Sequence, residues 1–305
     1  MVLKIIQKPT NGILGGPKIN EFTLIAEGYN FHIKIHQCVQ RTIIIESHET
    51  DNCKYYLNIF YTLESLLMIF DGHFIPTINA FANDTDITHS WHERTLPSYS
   101  SADFVIGTEN KLIDYSEVID EELFEKWRNL KLELDLNFKT MLYCTSSVKM
   151  PRDMQCAFLI EAFSGIYTLV LKKYPELKSS PSKGESKLKY YLVAIFEKFG
   201  NIIFDDELII NKYEFAQILV NSRNRIAHIL SDQKGYFLNG GECVMYLKKL
   251  FLLYRIVLFD QLELPQSLYK EKLSCTVLSI NSHKHMVEFI EKFKSICKDK
   301  PEKQN

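Results

Sequence analysis

Asn221-Ser222-Arg223-Asn224-Arg225-Ile226-Ala227-His228 reads as the end of an amphipathic helix, and the fold class of the second half follows from it. At about 100° per residue, Phe215, Ile218, Leu219, Ser222, Ile226 and Ile229 fall on one side and form the expected core stripe. Gln217, Asn221, Asn224 and His228 gather on the opposite side, with Arg223 on the flank. The whole helix is expected over Asn211 to Leu230.

Its neighbours share the same period. Arg152 to Tyr174 carries apolar residues at helical steps and is stopped by Pro175. Ser186 to Phe199 is closed by Gly200. Gly240-Gly241 opens a helix over Glu242 to Leu262, and Asn281 to Lys298 makes the last one, before a charged tail. The second half is therefore expected to be all helical.

The first half differs. Glu21 to Glu27, Tyr29 to His36 and Thr42 to Ser47 are short β-branched and aromatic runs around Gly28, as expected for an antiparallel sheet. Tyr55 to Phe70 changes to helical spacing and ends at Asp71-Gly72. Ile75 to Ala80 and Phe104 to Gly107 read as further strands, Asn83 to Ser101 as a long loop, and Glu121 to Tyr143 as a helix. The expected class is α+β: a β-rich domain with a helix over residues 1–145, then a helical bundle over residues 146–305.

Bulk properties narrow the function classes. In 305 residues, 46% hydrophobic and 24% charged composition is that of a folded chain. A formal net charge of -2 gives no global attraction to nucleic acid, so RNA contact would need a local basic patch. Seven scattered cysteines without a C-x-x-C pair argue against a disulfide framework or a zinc ribbon. Met1 to Thr10 lacks the features of a signal peptide, no long uninterrupted apolar run reads as a membrane span, and a soluble cytoplasmic protein is expected.

The octet also carries chemistry. An imidazole can take the proton of a ribose 2′-hydroxyl, and a guanidinium can hold the charge that builds on a phosphate. Spacing alone is weak, since an Arg followed by a His at one of several nearby spacings arises about once per chain of this size. Arg41 and His48 form a second such pair, read as coincidence. The polar face of amides, an imidazole and guanidiniums sets Arg223 to His228 apart from an ordinary Lys/Glu face.

Arg223-Asn224-x-x-x-His228, late in the third helix of this half, resembles the Arg-Asn-x-x-x-His signature of the HEPN superfamily. Gln155 to Ala162 is similar to the opening HEPN helix, where an inward-facing Glu lies near the motif; here that residue is Glu161. The chain as a whole resembles ApeA-type HEPN proteins of bacterial anti-phage, abortive-infection systems, and Phe60 to Leu67 is similar to part of their N-terminal half.

The resemblance implies a metal-independent, toxin-like endoribonuclease, with no cofactor, acting as a homodimer on RNA, with tRNA one candidate, under a phage-derived trigger sensed by the N-terminal domain. It implies catalytic roles for Arg223, Asn224 and His228, with Glu161 and Arg225 supporting, and ends of 2′,3′-cyclic phosphate and 5′-hydroxyl type. A non-catalytic HEPN dimer acting as a binding or regulatory module is the alternative.

Other residues carry less. Lys183, Lys187 and Lys189, beside Tyr190 and Tyr191, are candidates for an RNA backbone contact. His89 with His92, and His283 with His285, lack a third ligand at suitable spacing, so no metal site is assigned. Gly15-Gly16-Pro17-Lys18 lacks the spacing of a phosphate-binding loop.

Overall fold

Strict alternation builds the N-terminal sheet. In β2 (Lys18–Ala26), β3 (Tyr29–Gln37) and β4 (Arg41–Glu46), residues such as Leu24, Phe31, Ile33, Ile35, Ile43 and Ile45 point inward and are buried. Polar partners such as Glu21, His32 and Lys34 alternate with them on the other face. A first strand, β1 (Val2–Gln7), was not expected from sequence, yet it lies centrally: the order is β2-β3-β4-β1-β5-β6, all antiparallel, with β5 at Thr77–Ala82 and β6 at Thr85–Asp86. Its signal is short, Leu3 and Ile5 inward with Lys4 outward.

The structure is a computed structural model, and it describes residues 1–7, 18–38, 40–73, 75–94, 111–145, 150–178, 186–229 and 235–298. The chain divides into two compact units, Met1–Glu133 and Leu134–Asn305.

In the first unit, α1 (Cys53–Asp71) covers the inner face of the sheet. Asn52 caps its start by accepting from the Lys54 N–H at 3.1 Å, and Gly72, at φ 79°, closes its end. Tyr56 meets Phe31 edge-on at 5.1 Å. The Arg41 guanidinium is buried at the start of β4, 2.7 Å from Asp71. His48, the other half of the second Arg/His pair, lies in solvent beside Glu46.

The expected loop from Asn83 contains β6 and a short helix, α2 (Thr88–Arg94), because Trp91 is drawn into the core against Phe60 at 5.0 Å. The remainder of that loop and the strand expected at Phe104 to Gly107 lie outside the described residues. The expected helix Glu121 to Tyr143 is two, α3 (Glu121–Leu134) and α4 (Leu136–Thr145), parted at Asp135 with φ 33°.

The second unit is built around α5 (Arg152–Lys173), which packs against α4, α6 (Lys187–Ile195), α7 (Asp205–Ala227) and α8 (Gly240–Gln261). Among the described residues α5 alone is long and apolar enough to cross a membrane, with mean hydropathy 1.6, and 61% of that window is buried in the bundle. A π-helical turn, Phe196–Gly200, follows α6. Its Phe196 joins Phe204, Phe215, Tyr246 and Phe289 in an aromatic core. The expected last helix is α10 (Lys284–Lys298), and a helix not expected from sequence, α9 (Lys270–Asn281), precedes it.

One ion pair is wholly buried there. Lys249 Nζ lies 2.5 Å from Glu207 Oε1, which also accepts from the Tyr246 hydroxyl at 2.8 Å, while Lys249 reaches Asn281 Oδ1 at 3.2 Å. The pair ties α7, α8 and α9 together. All seven cysteines are free thiols.

Candidate functional site

The site begins with a break. At Asn211 the backbone of α7 leaves helical geometry (φ −171°, ψ 98°), and the Asn211 side chain accepts from the Glu214 N–H at 2.9 Å. That is an N-cap, so a new helix starts there, at the residue where the sequence places the start of the motif helix. The earlier segment, from Asp205, is held by the buried Glu207. The later one carries the octet.

This helix packs through Phe215, Ile218, Leu219 and Ser222, which are buried as expected. Ile226 and Ile229 are not: Ile226 is half-buried and Ile229 is 91% exposed, with φ 52°. The helix ends at Ala227, and its last turn is an overhang that leaves this end of the stripe uncovered among the described residues.

Arg223, Asn224 and His228 come together at that overhang. Arg223 Nη1 donates to Asn224 Oδ1 at 2.9 Å and makes a long contact of 3.5 Å with His228 Nε2. His228 stands one residue past the helix, its N–H bonded to Asn224 O at 3.0 Å, and is exposed.

Glu161, on α5, meets this cluster: its Oε2 accepts from Arg223 Nε at 2.7 Å. The remaining carboxylate oxygen lies 3.5 Å from Ser164 Oγ. A guanidinium held at Nε and at one Nη keeps its outer edge for an anion. The arrangement thus offers one fixed cation and one imidazole lone pair, side by side at an exposed edge.

Two other expected members face elsewhere. Asn221 is buried, because the returning segment Gly235–Asn239 covers that side of the helix; it donates to Tyr236 O at 3.0 Å. Arg225 turns away from Arg223 and stacks over the Phe237 ring at 4.4 Å. Sequence periodicity could not reveal this cover. The one signal was Gly235, whose φ of +84° and whose approach to Asn221 (Nδ2 2.9 Å from where a Cβ would stand) both call for glycine.

Lys187 and Lys189 lie in the first turn of α6, exposed and half-buried respectively, and the structure does not bring them into the Arg223 cluster. Lys183 lies outside the described residues. Among the described residues no three His, Cys, Asp or Glu side chains gather as metal ligands would.

Residues 167–268 match the family model described as Apea-like HEPN. The helical unit carries an Apea-like HEPN domain. The match runs from within α5 to the turn after α8, so Arg223, Asn224 and His228 fall inside it and Glu161 just before it. No curated protein and no solved structure matches the chain. In this HEPN domain the motif helix is the capped second segment of α7, and its polar cluster is completed from α5 by Glu161.

Proposed function

We propose that the HEPN domain is an endoribonuclease that cuts RNA by internal transesterification, without a metal ion, as a homodimer. The observation that carries this is the meeting of Arg223, Asn224 and His228 at one exposed helix end, with Glu161 holding the arginine. His228 takes the proton of a ribose 2′-hydroxyl, and the freed oxygen attacks the adjacent phosphorus. Arg223 binds the charge that develops on the phosphoryl oxygens, and Asn224 keeps Arg223 directed at them. The P–O5′ bond breaks, and the leaving oxygen is protonated by a second imidazole.

One chain offers a single His228, so the acid role falls to its counterpart in a second copy across a two-fold axis. Exposed apolar side chains flank the cluster in support of such contact: Phe158 is one helical turn before Glu161, and Ile229 follows His228. The role as an anti-phage, abortive-infection effector, gated by the N-terminal unit, rests on the Apea-like match.

The chemistry is tested through its products. A labelled RNA oligonucleotide should yield 2′,3′-cyclic phosphate and 5′-hydroxyl ends, and a single 2′-deoxy nucleotide at the scissile position should block cutting. Cleavage that ignores the 2′-hydroxyl would exclude this mechanism. No cleavage by the full chain under activating conditions would favour the binding-module reading.

A further inference from the structure

Residues 235–238 are fastened to the motif helix residue by residue. Tyr236 O accepts from Asn221 Nδ2 at 3.0 Å, Phe237 lies under the Arg225 guanidinium at 4.4 Å, and Leu238 N donates to Ser222 Oγ at 2.8 Å. The helix side of this strap is itself braced: Ser222 Oγ donates to Ile218 O at 2.7 Å, and Gln217 Nε2 donates to Asn221 Oδ1 at 2.9 Å. Asn221, Ser222 and Leu238 are all buried. From the far side, Tyr236 donates to Glu242 and lies under the Lys292 ammonium at 4.1 Å.

His228 hangs between two anchors as a result. On one side its own N–H is bonded into the last turn, and Ile229 N is bonded to Ile226 O at 3.3 Å. On the other, the chain is fixed again at Gly235, only six residues along the sequence from Ile229, and a closure that short restricts both of its ends. Arg223 is held separately, through Glu161. The distance between imidazole and guanidinium therefore depends on two independent fastenings.

We infer that Asn221, Ser222 and Arg225 are positioning residues that set the place of His228 by strapping Gly235–Leu238 to the motif helix; this rests on the ribonuclease reading. Arg225 then acts on catalysis through Phe237 and touches no phosphate. Loosening the strap leaves Arg223 and its grip on substrate in place while His228 loses its fixed approach, so turnover falls and substrate binding does not.

Arg225→Ala in the full chain tests this, because Arg225 is half-exposed and its removal leaves the core intact. Cleavage of an RNA oligonucleotide should show kcat reduced by at least about tenfold with KM unchanged. Arg225→Lys, which keeps a cation over Phe237, should recover much of the loss. Amide exchange at Tyr236–Leu238 and Ile229 should accelerate in Arg225→Ala and Ser222→Ala, with exchange in α5 unaltered. A raised KM at constant kcat would overturn the inference and make Arg225 a phosphate contact; so would unchanged kinetics. If the wild type cuts no RNA, the ribonuclease reading fails, and the exchange data with the His228 imidazole resonance still decide the strap. A resonance that shifts and broadens in Arg225→Ala supports it, and one that stays put overturns it.

Discussion

The Glu161–Arg223 pair separates what stabilises the protein from what shapes its site. Glu161 is 45% and Arg223 26% exposed, so water screens the attraction and the pair contributes at most about 1 kcal/mol to stability. Its value is geometric, since the carboxylate fixes a long side chain that would otherwise sample many rotamers. Glu161→Ala should therefore leave thermal unfolding nearly unchanged and lower RNA cleavage by about tenfold or more. Cleavage equal to wild type in that variant would show that Arg223 needs no brace. A second residue, Glu64 in the N-terminal unit, makes stability depend on pH. Burial pushes its carboxyl from the ordinary 4.5 up to about 7, with Lys131 and then Arg41 pulling the other way. A raised carboxyl means that the folded state holds the proton more tightly, so its contribution is full below pH 4.5 and is lost as pH rises through about 7. Burial also brings Lys131 down to about 8, which returns stability only above that pH. Thermal melts should thus show the N-terminal unit weakening from about pH 4.5 to about pH 7, and Glu64→Gln should flatten the slope. An equally steep slope in Glu64→Gln would assign it to another group.

At the scale of elements, α7 is two helices with different duties. Its first segment is anchored by the Glu207–Lys249 pair, both side chains fully buried, and its second is started afresh by Asn211 and carries the site. Removing one partner strands the other charge, so Lys249→Met should cost about 3–5 kcal/mol, measured by denaturant unfolding. Adding Glu207→Leu should recover most of that, because two matched apolar groups leave no orphan charge. A double variant no better than the single would mean that the pair does more than satisfy itself. The motif segment was legible in sequence from its core stripe and from Asn211, a residue type that favours helix starts. The ends were not. Whether Ile226 and Ile229 are covered depends on how far the bundle reaches, and whether Asn221 faces water depends on a segment fourteen or more residues later. β1 was missed because its few residues alternate only briefly, and its partners β4 and β5 lie far along the chain. Asp135 divides two helices that periodicity alone runs together.

For the whole molecule, the α+β order of a sheet-containing unit followed by a helical one followed from the change of period between the two halves, from two to about 3.6 residues. The grouping of Arg223, Asn224 and His228 was legible because three residues of one short run need no tertiary information to be neighbours. Glu161 came from the resemblance, and Phe237 from nothing short of the structure. The proposed activity belongs to two copies, since one chain supplies one imidazole. Phe158→Asp with Ile229→Asp should shift the protein to monomer mass in sedimentation and abolish RNA cleavage together. A dimer that persists with full activity would place the interface elsewhere. The central claim is tested most directly by incubating the full chain and its His228→Ala variant with RNA in EDTA. The account predicts cleavage by the wild type and none by the variant, with the variant's oligomeric mass unchanged. Equal cleavage by both, or cleavage that stops in EDTA, would contradict it.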